Sequence, residues 1–165
     1  MSPFTSSLVV TPLSDGRTWV VRKAFGFDLQ HERGSCRVLV PPGFQTDFAS
    51  MPRLLWAILP MWGKYGYASV IHDWMYWDQS LPRATADEAF LCGMTAFRVW
   101  APLRWAIYVA VRLFGWLTWN RNKMERATGV DRVLREPPTE ILARRMGMAP
   151  GPADADASVH RSRQA

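Results

Sequence analysis

The sequence predicts an α+β fold, in which a small N-terminal antiparallel β-hairpin or sheet precedes a bundle of three to four helices. The first third of the chain holds short runs rich in β-branched and aromatic residues around a turn at Ser14-Asp15-Gly16. Apolar residues then recur at the three-to-four spacing of helices. The 165-residue chain is 48% hydrophobic, which is enough for the core of one domain.

The strands are expected in two stretches of the N-terminal third. Residues 8–27, LVVTPLSDGRTWVVRKAFGF, hold two runs that flank the turn, as a hairpin does. Residues 36–44, CRVLVPPGF, contain a third short strand. Pro41 and Pro42 end this strand because they lack the N–H groups that a β-ladder requires.

Four helices are predicted, over residues 51–59, 67–78, about 85–97 and 101–119. Ser50 is placed to cap the first helix, and Pro60 ends it. The third is expected to begin near Thr85, because Thr85 and Glu88 have the spacing of a capping box.

Residues 1–136 are predicted to form one globular domain, and the segment 137–165 is predicted to be a disordered tail. The tail is dominated by Pro, Gly, Ala and small polar residues, which bury too little surface to offset the entropy of ordering. Cys36 and Cys92 cannot make a disulfide framework, and they lack the spacing of a structural zinc site.

Positive charge is concentrated in residues 98–136. This segment contains eight Lys or Arg and three acidic residues, and it supplies +5 of the net charge of +6. The expected partner is therefore anionic.

Arg104 and Arg112 interrupt the apolar helix 101–119, which predicts a buried or membrane-surface helix and no transmembrane span. Arg104, Arg112, Trp105 and Trp116 are the predicted surface-binding residues. Nucleic acid is disfavoured, since no recognition-helix motif accompanies the arginines.

The segment SVIHDWMY places a polar stripe on the second predicted helix: Ser69, His72, Asp73 and Tyr76. Imidazole suits proton transfer near neutral pH when a carboxylate orients it. Asp73 points about 100° away from His72 on a helix and is poorly placed for that role. Asp87, near the start of the next helix, is the predicted partner of His72, and Tyr76 is predicted to donate to Asp87.

Two further interpretations of these residues stay open. The stripe also suits a solvated helix face, and the helix dipole alone favours an Asp in a first turn. Asp73 and Asp47 are candidate oxygen ligands for a hard cation such as calcium, whereas Asp47 and Ser50 also suit turn and cap hydrogen bonds.

Four segments, in their order along the chain, resemble an uncharacterised phage and prophage family, domain of unknown function 1353. They are VPPGFQTDFASMPRLLW, ASVIHDWMY, RATADEAFLCGM and YVAVRLFGW. The resemblance covers roughly residues 8–119. It implies a phage or prophage origin and no established chemistry. The N-terminus lacks the features of a secretion signal, so we expect the bacterial cytoplasm or a phage particle.

The His-Asp-x-x-Tyr helix is also similar, more distantly, to phospholipase A2. This resemblance implies that His72 activates water, Asp73 binds calcium, Asp87 orients His72, and Tyr76 bonds to Asp87. The glycine-rich calcium loop of that family has no counterpart, because PRLLW occupies its place at residues 52–56. The cofactor is therefore left open, with calcium as the candidate that the resemblance names.

Two functions from different classes follow from these observations. The first is an ester hydrolase, with a phospholipid as the suggested substrate, that uses a His72–Asp87 dyad and meets an anionic lipid surface. The second is a non-enzymatic phage accessory or structural protein, which binds a partner through its basic, Trp-rich helical segment.

Overall fold

The computed structural model describes residues 3–15, 17–31, 34–47 and 66–135. The chain divides into two units, Met1–Leu134 and Arg135–Ala165, and the strands and helices of the described residues lie in the first. Antiparallel strands precede helices, so the predicted α+β class is confirmed. The helix predicted at 51–59 and the tail predicted at 137–165 lie outside the described residues.

The described strands form two small antiparallel sheets. They are β1 (Val10–Pro12), β2 (Trp19–Val21), β3 (Phe25–His31), β4 (Gly34–Val40) and β5 (Gln45–Thr46). Their order is β1-β2-β5 in one sheet, and β3 pairs with β4 in the other. The predicted hairpin is confirmed as β1–β2, with Val10 opposite Val21. The second predicted run proves to be two strands, because residues 22–24 separate β2 from β3.

The Asp15 carboxylate holds the turn between β1 and β2. It accepts hydrogen bonds from the backbone N–H groups of Arg17 at 3.0 Å and Thr18 at 2.8 Å, and from the Thr18 hydroxyl at 2.5 Å. These hydrogen bonds lower the pKa of Asp15 to about 2. The composition Ser14-Asp15-Gly16 thus predicts a turn because the Asp15 side chain accepts these local hydrogen bonds.

Three helices follow in the described residues: α1 (Gly66–Asp78), α2 (Arg83–Ala96) and α3 (Ala101–Ala127). The predicted capping box at Thr85 is wrong, because α2 begins at Arg83 after an N-cap at Pro82 with no side-chain cap. Pro82 fixes the entry of the chain in an extended conformation, and its carbonyl accepts from the Thr85 N–H at 2.9 Å. Asp87 is consequently the fifth helical residue and lies beyond the first turn.

Aromatic side chains connect the β3–β4 sheet to the helices. The backbone of Phe4 forms a β-bridge with Phe27 of β3. The centroid of the Phe4 ring lies 5.0 Å from that of Phe27, 5.4 Å from that of Tyr67 of α1 and 5.0 Å from that of Phe97 after α2. Phe44, just before β5, meets Trp74 of α1 edge to face at 5.1 Å. Each aromatic pair adds about 0.5–1.5 kcal/mol beyond its buried area. Helix α1 therefore lies between the strands and the other helices.

Helix α3 supplies hydrogen-bond donors to the C-terminal end of α1. The Asn122 amide donates to the Tyr76 carbonyl at 3.0 Å, and the Arg126 guanidinium donates to the carbonyls of Trp77 and Asp78. Helix α1 has no basic residue in its last turn. Carbonyls that the helix itself leaves unpaired are thus satisfied by a distant segment of the chain.

Helices α1 and α2 approach closely where Gly93 faces Ala68. A Cβ added at Gly93 would lie 2.6 Å from the Ala68 Cβ and 3.4 Å from the Phe4 ring. The contact therefore requires a residue without a side chain at position 93. This close approach brings the polar stripe of α1 within reach of α2.

We expect Gly93→Ala to lower the free energy of unfolding by about 1–3 kcal/mol, because the added methyl group overpacks the α1–α2 contact. Urea denaturation measures the change. Gly66→Ala is the matched control, since a Cβ there meets nothing within 4 Å. Its effect should stay within about 0.5 kcal/mol. Equal losses in the two variants would contradict the proposed contact.

Candidate active site

The polar stripe of α1 faces the interior of the protein. Ser69, His72, Asp73 and Tyr76 are all buried, and His72 is only 1% exposed. The interpretation of this stripe as a solvated helix face is therefore wrong. Helix α1 is buried on both faces because α2, α3 and the strands pack around it.

The Asp87 carboxylate joins the predicted side chains of α1. Its Oδ1 atom lies 3.2 Å from His72 Nε2 and accepts a hydrogen bond from the Tyr76 hydroxyl at 2.6 Å. Asp87 itself is fully buried. The structure thus brings together the three residues that the sequence grouped as a candidate site.

Two arginines bind the other oxygen of the same carboxylate. Arg83, one turn earlier on α2, donates to Asp87 Oδ2 at 3.1 Å, and Arg112 of α3 donates at 2.8 Å. Arg83 also donates to the carbonyls of Val111 and Arg112 at 3.3 and 3.2 Å. Two guanidinium groups therefore compensate the buried charge of Asp87, which would otherwise be costly to desolvate.

Asp87 is ionised at neutral pH. Burial alone would raise its pKa, but hydrogen bonds from His72, Tyr76 and Arg112 outweigh burial and hold the pKa below the ordinary 3.8. Burial, reinforced by the Asp87 carboxylate, raises the pKa of Tyr76 well above the ordinary 10.0, so the phenol remains a donor. An ionised carboxylate only accepts hydrogen bonds, so His72 Nε2 carries the proton. In the neutral form of this imidazole the lone pair is then on Nδ1.

Neighbouring rings fix the orientation of His72. The imidazole stacks on Phe90 of α2, with centroids 4.8 Å apart and an interplanar angle of 26°. The centroid of the Tyr76 ring lies 4.1 Å from that of His72, with an interplanar angle of 43°. These contacts, with the Asp87 hydrogen bond, hold the ring in one orientation and one tautomer.

Gly115 of α3 leaves space for Tyr76. A Cβ at this position would overlap the Tyr76 hydroxyl and approach Arg83 Nη1 to 3.3 Å. The backbone of α3 therefore lies directly against the donors of Asp87. No pattern in the sequence alone distinguishes this glycine from the others.

The predicted metal ligands lie on two different segments, Asp73 on α1 and Asp47 after β5. Asp73, which is buried, accepts a hydrogen bond from the Thr46 hydroxyl of β5, and Asp47 is half-buried in the following loop. Calcium requires six to eight oxygen ligands. Within residues 3–15, 17–31, 34–47 and 66–135, no group of three or more His, Cys, Asp or Glu could hold a metal ion. The described donors do not fit a calcium site, and we derive no chemistry from one.

The predicted surface-binding residues separate into two pairs. Trp105 and Trp116 are half-exposed on α3. Arg112 turns inward to Asp87, and Arg104 donates to the Val99 carbonyl at 3.5 Å. Surface binding by these four residues remains a prediction. Among the described helices, none is long and apolar enough to cross a membrane.

The family described as protein of unknown function (DUF1353) matches residues 19–111, which is more than half of the chain. The match contains His72, Asp73, Tyr76, Arg83 and Asp87, and it ends one residue before Arg112. No curated protein and no solved structure matches the chain.

We expect Asp87→Asn to lower the free energy of unfolding by about 3 kcal/mol, because it leaves two guanidinium groups without their shared counter-charge. This value is at the low end for a buried ion pair because both arginines are partly exposed. Chemical denaturation measures it. Asp28→Asn is the matched control, since it breaks an exposed Asp–Arg pair on β3 and β4. A loss as large in the control would contradict the special role of Asp87.

The stabilising effect of the Asp87 charge should depend on acidity. Because folding lowers the pKa of Asp87, this contribution is present in full above the ordinary value of 3.8 and is lost as the pH falls through the folded value. The difference in unfolding free energy between the wild type and Asp87→Asn should therefore shrink below about pH 4. Denaturation series at several pH values measure it, and a difference that grows in acid would refute the assignment.

Proposed function

The chain belongs to the family described as protein of unknown function (DUF1353), and from that starting point we propose that it hydrolyses an ester through His72 and Asp87. One observation carries the proposal: His72 Nε2 lies 3.2 Å from an Asp87 oxygen that also accepts from Tyr76. A general base requires an oriented imidazole with one free lone pair. The contacts of His72 with Asp87, Tyr76 and Phe90 support the orientation.

In the proposed reaction, His72 Nδ1 accepts a proton from water while the water oxygen bonds to the carbonyl carbon of the ester. The imidazolium then returns the proton to the departing alkoxide as the C–O bond breaks. Asp87 orients His72 and stabilises the imidazolium, and Tyr76 positions Asp87. Because Arg83 and Arg112 share the charge of Asp87, we assign Asp87 mainly the orienting role.

A phospholipid is the substrate suggested by the resemblance of the HDWMY segment to phospholipase A2. A phage or prophage origin belongs to the same proposal, and its support is the resemblance of the segments around residues 40–116. Neither is required for the chemistry of His72 and Asp87.

A second candidate is a non-enzymatic accessory or structural protein of a phage. The burial of both His72 and Asp87 favours it, because water and substrate need access to a catalytic base. In this case the four donors of Asp87 only stabilise the helices. Binding through the segment 98–136 would then weaken with salt and on charge reversal.

We expect His72→Gln to reduce ester hydrolysis by about a hundredfold or more, since general bases contribute factors of this order. The probes are fatty-acid release from phosphatidylglycerol vesicles and cleavage of a soluble p-nitrophenyl ester, each with added calcium and with a chelator. Thermal unfolding checks that the variant remains folded.

The matched control is His31→Gln, which changes a histidine of β3 that has no role in the proposed reaction. It should retain the wild-type rate. Tyr76→Phe should show a smaller loss than His72→Gln, because Asp87 keeps its other donors. An unchanged rate in His72→Gln, or no hydrolysis of either probe by the wild type, would favour the non-enzymatic candidate.

A further inference from the structure

Helix α3 has an apolar face that points away from the protein. Its inward face carries the four buried residues Ile107, Val111, Gly115 and Asn122. On the opposite side lies the outward face of α3, which we define as Trp105, Val109, Leu113, Trp116 and Leu117. These five side chains are between 49% and 60% exposed. The helix therefore presents large apolar groups to solvent along about three turns.

This pattern is unusual for a surface helix, which normally directs charged and polar residues outward. Contiguous exposed apolar groups mark a surface that another phase or molecule covers. Beyond Leu117 the exposed residues of α3 include the polar and basic Asn120, Arg121 and Lys123, followed by the exposed Met124. A helix face of Trp and Leu accompanied by basic residues is typical of a helix that lies at a lipid interface.

Charge indicates which partner suits this face. From residue 89 to residue 124 the sequence contains no Asp or Glu, whereas it contains five basic residues: Arg98, Arg104, Arg112, Arg121 and Lys123. Two of these are committed to internal or local pairs, because Arg112 binds Asp87 and Arg121 lies 3.4 Å from Glu125. Arg98 and Lys123 remain exposed near the two ends of α3. The surroundings of the apolar face are consequently cationic.

We propose that the outward face of α3 docks the protein on an anionic lipid surface. Leu113 and Leu117 enter the boundary between headgroups and acyl chains, and the indole N–H groups of Trp105 and Trp116 remain among the polar headgroups. The basic residues at the two ends of the helix meet the negative headgroups. The axis of α3 then lies parallel to the membrane, and the helix does not cross it.

A second copy of the chain is a poorer occupant of this face. Two copies of α3 packed face to face would bring two sets of basic residues together, with no acidic residue among positions 89–124 to compensate them. A lipid surface that carries the opposite charge has no such cost. The docking does not depend on the chemistry of His72, because the face lies on the side of α3 opposite the residues that pack toward the protein interior.

The test is sedimentation of the full-length chain with vesicles of phosphatidylcholine, with or without phosphatidylglycerol. We expect binding to the anionic vesicles, weaker binding to the neutral ones, and a decrease with added salt. The double variant Leu113→Gln with Leu117→Gln should bind anionic vesicles about tenfold or more weakly, since it removes two apolar side chains from the interface.

The matched control is Leu39→Gln, which makes the same change at a similarly exposed leucine on β4. Its vesicle binding should equal that of the wild type, and circular dichroism checks the folding of all variants. His72→Gln should also bind normally, so failure of the hydrolase proposal is distinguishable from failure of this one.

Three results would overturn the docking proposal. The first is no binding of the wild type to anionic vesicles, and the second is equal loss in the double variant and in Leu39→Gln. The third is a dimer of the wild type in light scattering that dissociates in the double variant, which would assign the face to a second copy.

Discussion

The arrangement of the helices depends on one buried carboxylate. Asp87 of α2 accepts from two side chains of α1, from Arg83 of its own helix and from Arg112 of α3, so its two oxygens connect all three described helices. A carboxylate at this depth is tolerable only with such partners. The geometry around His72 and the packing of the helices therefore have the same cause, and a change in one alters the other.

Small residues make this arrangement sterically possible. Gly93 lets α2 approach Ala68 of α1, and Gly115 lets the backbone of α3 lie against Tyr76. Helix α3 has two different faces as a result. Its inward face completes the environment of Asp87, whereas its outward face is apolar and remains available to a partner.

Much of the site was predictable because its signals are local. The spacing of His72 and Tyr76 places them one helical turn apart, and a short connection between antiparallel helices predicts that Asp87 lies beside them. Arg83 has the same local signal, since it precedes Asp87 by four residues, yet its role was missed. Arg112 joins Asp87 across 25 residues, and no periodicity specifies that contact. The start of α2 was predicted wrongly because Pro82 determines it. No side-chain cap takes part there.

The donors that α3 supplies to α1 have a consequence for the order of folding. The carbonyls of Tyr76, Trp77 and Asp78 accept hydrogen bonds from residues 46 to 49 positions later in the chain, Asn122 and Arg126. Gln79 supplies a local donor to the Tyr76 carbonyl at 3.2 Å, but the donors from Asn122 and Arg126 exist only once α3 has been synthesised. The native hydrogen bonds at this end of α1 thus include contacts that are distant in sequence. Fragments that end before α3 would leave α1 frayed, even though they contain nearly all of the region that matches the family.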